Sequence, residues 1–117
     1  MIVYIYKKCS TCQDALRFLE KKKIAVTIKE ITQEPPTVAS LKKMLKFQNG
    51  NIRKLMNTSG MLYREMGLSK ELDAMSEADV LTLLSQHGML VKRPFLLGDD
   101  FGLVGFKESD WSQQFNH

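Results

Sequence analysis

The chain of 117 residues has only two cysteines, and they stand three apart at Cys9 and Cys12. A pair so close cannot tie distant parts of a fold together. Thiols this few fit a reducing compartment, so a cytoplasmic location is expected. Histidine is equally scarce, with His87 and His117 alone. A four-ligand metal site built on the two cysteines would need both histidines, so no metal is expected. No apolar run approaches the roughly 20 residues of a membrane helix. The first apolar run stops at Lys7, too short for the core of a secretory signal, so neither leader nor membrane segment is expected. Repeats, linkers and low-complexity tracts are lacking too, which points to one domain over residues 1–117 with its own core. The net charge of +4 is mild and suits an anionic partner, or solubility alone. The densest basic run, Lys21-Lys22-Lys23, has no interleaved aromatics and falls where cations offset a helix C-terminus. Direct nucleic-acid binding is not expected.

What is present is concentrated near the start. An apolar, β-branched and aromatic run, Val3-Tyr4-Ile5-Tyr6, ends at Lys7-Lys8. The Cys9-Ser10-Thr11-Cys12 motif follows. Ala15, Leu16, Phe18 and Leu19 then share one helical face. A strand feeding a helix through a short loop places that loop at the carboxyl end of a sheet, where ligands collect in open α/β folds. Ser10 or Thr11 is expected as the N-cap, which would turn Cys9 toward the free amides of the first turn. Those amides, the positive end of the helix dipole and the two lysines favour the thiolate form of Cys9. Two inert core cysteines are the bland alternative. A Cys-x-x-Cys beside a βαβ pattern favours a redox or nucleophilic pair.

Residues 2–6 read as a strand, 11–22 as a helix and 24–31 as a second strand parallel to the first. After Pro35-Pro36, Thr37 caps a helix whose stripe is Val38, Leu41, Met44 and Leu45. Short helical segments follow at 52–56 and 62–68, the latter closing near Gly67. Ser76, with Asp79 at the capping-box position, opens another helix that ends at His87-Gly88. Residues 89–97 read as a strand interrupted or opened by Pro94. Gly98 to Gly102 forms a hairpin turn to a strand at 103–106, and Ser109-Asp110 caps a last helix. The order is βαβ, a helical insertion at about 37–87, then ββα. This is an α/β chain on the thioredoxin-like plan, with a mixed sheet of about four strands.

The strand–CSTC–helix start, Asn57-Thr58-Ser59-Gly60, Tyr63-Arg64-Glu65-Met66-Gly67-Leu68, Lys92-Arg93-Pro94-Phe95 and Val104-Gly105-Phe106-Lys107 together resemble the family of glutaredoxin-coupled arsenate reductases and Spx regulators. The likeness is strongest to the Spx-like, arsenate reductase-like branch of Gram-positive bacteria. The resemblance implies that Cys9 is the nucleophile and that Cys12, which is serine in the arsenate reductases, is its Spx-type partner. It implies that Arg93 precedes a cis Pro94 facing the Cys9 loop. Lys8, Ser10, Thr11, Asn57 and Pro94 are the implied substrate- or anion-binding set. At two further arginine positions of the arsenate reductases this chain has Asn57 and Phe106, and it has Gln13 where arginine is frequent. Lys7, Lys8 or Lys107 can supply charge there, without the forked geometry of arginine. Three activities stay open: a thiol/disulfide redox protein, a redox-sensing regulator that binds the C-terminal domain of RNA polymerase α, and an arsenate reductase. No bound cofactor is implied. Glutathione, or a partner dithiol protein such as thioredoxin or glutaredoxin, is the implied electron source. A monomer is expected.

Overall fold

The computed structural model describes residues 1–115, so His117, one of the two histidines weighed above, lies outside the described residues. Strand β1 (Ile2–Ile5) is central, and the sheet order is β2-β1-β3-β4. β2 (Thr27–Glu30) pairs parallel to β1 after helix α1 (Ser10–Lys21). β3 (Phe95–Leu97) lies antiparallel on the other side of β1, with β4 (Gly102–Val104) antiparallel beyond it. This mixed four-stranded sheet with its helices is the thioredoxin-like plan anticipated above.

Alternation along β1 divides the core between two faces. Val3 and Ile5, with Leu96 of β3, pack against Cys12, Ala15, Phe18 and Leu19 of α1 and Trp111 of α6 (Glu108–Phe115). Tyr4 and Phe95, edge to face at 5.5 Å, point the other way. They join Leu41, Met44 and Leu45 of α2 (Val38–Phe47) and Val80, Leu81 and Leu84 of α5 (Glu77–Gln86). Two short helices, α3 (Met61–Glu65) and α4 (Leu68–Glu71), complete that layer and contribute Tyr63 and Leu68 to its core. The caps foreseen at Thr37 and Ser76 form: each hydroxyl accepts the amide of the residue three further on, Ser40 or Asp79, at 3.1 Å.

Several boundaries differ from the expected ones, each for a local reason. The second strand begins at Thr27, because residues 22–24 close α1. Lys23 adopts φ +57, its amide donates to Glu20 O, and that of Ile24 donates to Leu19 O at 2.9 Å. This is a Schellman closure with lysine where glycine is usual. The helical stretch at 62–68 splits in two at Gly67, whose φ is +62. The strand expected over 89–97 pairs in the sheet only from Phe95 onward. Pro94 has no N–H for the ladder. Ahead of it, Gly88–Leu90 forms a 3-10 turn and Val91 bridges Met56. Gly88 is required there, since a Cβ would stand 2.0 Å from the carbonyl oxygen of Ile31. The last helix starts at Glu108, one residue before the expected Ser109-Asp110 cap.

Candidate functional site

The site begins where β1 ends. Glu30, at the end of the neighbouring β2, accepts the Lys7 amide on both carboxylate oxygens at 3.1 and 3.3 Å. The Gln13 side chain donates to Lys7 O at 3.3 Å from within α1. The Cys9 amide donates to Tyr6 O at 2.9 Å. The turn of Lys7 and Lys8 is thus pinned from three sides, and Cys9 emerges from it in an extended conformation.

Cys9 itself, rather than Ser10 or Thr11, is the N-cap of α1: its sulfur accepts the Cys12 amide at 3.3 Å. Ser10 and Thr11 are already on the exposed side of the first turn. A sulfur that accepts a main-chain N–H at the positive end of a twelve-residue helix is placed where negative charge is favoured. Cys12 lies one turn deeper and is fully buried, in the core formed by Val3, Ala15 and Trp111. Burial is the main cause that pushes its thiol up to about 12, and interaction with the Cys9 sulfur adds to the rise. A backbone hydrogen bond with Tyr6 and the charge of Arg93 act in the opposite direction. Both cysteines are free thiols, Cys9 half-buried and Cys12 buried.

Arg93 and Pro94 arrive from the other side, and the peptide bond between them is cis. The Arg93 guanidinium lies 4.9 Å over the Tyr6 ring and donates to Met89 O at 3.3 Å, while its Nε is buried with no hydrogen-bond partner. Among the described residues it pairs with no acidic side chain. The segment carrying Asn57 reaches the site by a second pairing. The Asn57 amide donates to Leu90 O, and the Lys92 amide to Leu55 O, each at 2.8 Å. Asn57 Nδ2 also approaches Met89 O at 3.4 Å, and Gly60 packs so closely that a Cβ would stand 2.5 Å from that nitrogen. From the end of β4, the Gly105 amide donates to Pro94 O at 2.8 Å, and Gly105 O accepts the Trp111 indole N–H at 3.1 Å.

These elements enclose a cavity of about 310 Å³ lined by Cys9, Thr11, Asn57, Ser59, Lys92, Arg93, Gly105 and Phe106. Of the residues singled out from sequence, Cys9, Thr11, Asn57 and Arg93 line this cavity together. Cys12 and Pro94 lie buried beneath it, and Lys8 and Ser10 are exposed outside its lining. Lys7 and Lys107, offered above as supplementary charge, do not line it either. Lys92 does, and sequence reasoning missed it. Its one signal was its place in Lys92-Arg93-Pro94, beside the two residues already named. A larger groove of about 540 Å³ runs between α1 and β2 past Leu16, Ile24 and Val26, but it holds no cysteine. Among the described residues no three histidine, cysteine, aspartate or glutamate side chains gather to hold a metal ion, and no helix is long and apolar enough to cross a membrane.

Chemically, the arrangement sets one accessible sulfur at a helix N-terminus, a second sulfur buried behind it, and two cations at the rim. The family model described as "ArsC family" matches residues 4–114. The chain is 38% identical to the uncharacterized protein YusI of Bacillus subtilis, over 96% of this chain and 95% of that one. It is 28% identical to "Global transcriptional regulator Spx 2" of Oceanobacillus iheyensis, over 97% of this chain and 83% of the relative. It is 29% identical to an arsenate reductase of Haemophilus influenzae, over 90% of each. Among solved structures, an ArsC family related protein from Bacteroides fragilis superposes with a TM-score of 0.89 at 38% identity, covering 96% of this chain and 94% of the other.

Proposed function

The chain belongs to the ArsC family, and on that premise we propose that it is a cytoplasmic thiol–disulfide exchange protein in which Cys9 attacks and Cys12 resolves. The observation that carries this reading is the division of labour between the two sulfurs. Cys9 caps α1 and lines the open cavity, whereas Cys12 is buried one turn behind it with its thiol pushed up to about 12. The Cys9 thiolate attacks one sulfur of a substrate disulfide and expels the other as a thiolate. Cys12 then loses its proton and displaces the substrate sulfur from Cys9. The protein is left with a Cys9–Cys12 disulfide, and the substrate gains two electrons and two protons as a dithiol. Arg93 holds positive charge beside both sulfurs while the proton leaves Cys12. A thioredoxin- or glutaredoxin-like dithiol, or glutathione, returns the pair to its reduced form.

The test uses glutathione disulfide and mass spectrometry of the reduced protein. The wild type loses two hydrogens as Cys9 and Cys12 join, Cys12→Ser stops at a glutathione adduct on Cys9, and Cys9→Ser does neither. An adduct on Cys12, or a Cys9→Ser variant that reacts like the wild type, refutes the assignment. A second reading follows the relatives named Spx: the same disulfide governs binding to the C-terminal domain of RNA polymerase α. Capture of that domain by only one redox state of the protein supports it, and no capture by either state refutes it.

A further inference from the structure

Lys92, which lines the Cys9 cavity, also lines a second cavity of about 360 Å³, together with Gln48, Arg53, Lys54, Thr58 and Asp110. Arg93 and Lys92 thus face the first cavity and Lys92, Lys54 and Arg53 the second, a basic path that starts at Cys9 and is joined by the shared Lys92. Two carboxylates oppose them: Asp110 in the second cavity, and Asp73, which takes up Arg53 at 3.3 Å. Among the described residues Lys54, Lys92 and Arg93 have no acidic partner, and the Nε of Arg93 is buried with none of any kind. Such charge spread along a path differs from a pocket for one small oxyanion, which needs several forked donors converging on a point. Only Arg93 offers a fork in the first cavity, where Asn57 and Phe106 are neutral.

Resting on the thiol-exchange reading, we propose that this path receives an extended polypeptide whose disulfide-bonded cysteine is flanked by acidic residues. The cysteine reaches Cys9, and its acidic neighbours lie over Lys92 and Lys54. Nucleic acid would satisfy the same charges, but it brings no sulfur to Cys9, where the path ends.

The experiment separates binding from exchange. Fluorescein-labelled peptides carry serine in place of the disulfide-bonded cysteine, with three glutamates before or after it, or three glutamines at the same places. At low ionic strength one acidic peptide binds about tenfold tighter than its glutamine counterpart, the sum expected of two or three exposed charge pairs. The preference fades in salt. Lys92→Gln and Lys54→Gln each remove about two- to fourfold of it, Asp110→Asn increases it, and Lys42→Gln, exposed on α2 away from both cavities, leaves it unchanged. Equal binding of acidic and neutral peptides overturns the proposal, as does tighter binding of a labelled oligothymidylate. Exchange is read separately, with cysteine-containing peptides carried as thionitrobenzoate mixed disulfides. If no peptide releases thionitrobenzoate while the serine peptides still discriminate, the exchange reading fails and the acidic path stands. If all release it equally and none discriminates, the reverse holds.

Discussion

Raising the pH should unfold this protein partly through a single buried thiol. Cys12 is fully buried, and its thiol is pushed from an ordinary 9.0 to about 12, chiefly by desolvation. The folded state therefore keeps the proton after the unfolded chain has lost it. Below pH 9 both states hold it and stability does not change on this account. Between about 9 and 12 the unfolded state alone ionises, so stability falls by about 1.4 kcal/mol per pH unit. A few kcal/mol lost in this way is a large share of the roughly 5–15 kcal/mol typical of domains. Cys9 contributes to the shift, so the comparison is best made in a Cys9→Ser background, where burial, the largest cause, persists. Urea unfolding of Cys9→Ser and of Cys9→Ser/Cys12→Ala is followed from pH 8 to 11 with reductant present. Tyrosine and lysine titrations are common to both chains and cancel in the difference. The chain that retains Cys12 should lose stability relative to its partner with the slope given above, starting near pH 9. Parallel profiles would refute the claim that Cys12 stays protonated in the fold.

Three further expectations use other parts of the structure. At neutral pH, iodoacetamide should modify Cys9 and leave Cys12 intact until the protein unfolds; peptide mapping that finds Cys12 labelled as fast as Cys9 contradicts the burial argument. Lys23→Gly should raise stability by about 1 kcal/mol, because glycine adopts the left-handed conformation of the α1 closure at no steric cost; an unchanged or lower urea midpoint speaks against strain at that residue. In a glutaredoxin-coupled assay, arsenate turnover should lie far below that of an arsenate reductase, since Asn57 and Phe106 bring no charge to the Cys9 cavity; saturable turnover abolished by Cys9→Ser would show that Arg93 and Lys92 suffice.

Local signals carried much of the fold. The β1–Cys-x-x-Cys–α1 unit, the Thr37 and Ser76 caps and the β3–β4 hairpin each depend on residues a few positions apart. They form close to where the sequence suggests. What escapes sequence reading involves distant partners or unusual chemistry. Nothing near Lys7 announces that Glu30 holds its amide, and nothing near Asn57 announces its pairing with the 90–92 segment. That pairing brings Lys92 into the cavity, which is why Lys92 carries so little signal of its own. The α1 cap departs from expectation because hydroxyl and carboxamide side chains dominate that position, and here a sulfur fills it.

That sulfur makes the first turn of α1 a gauge of its own chemistry. A charged sulfur is a strong acceptor for the Cys12 amide, whereas an alkylated or disulfide-bonded one is a poor acceptor. Any event that consumes Cys9 therefore loosens the start of the helix without touching its packed face, held by Ala15, Phe18 and Leu19. Exchange of the Cys12 amide hydrogen with solvent should speed up when Cys9 is blocked, while amides in the last turns of α1 keep their protection. The start of the helix thereby registers whether the thiol is spent, while the rest of α1 stays packed.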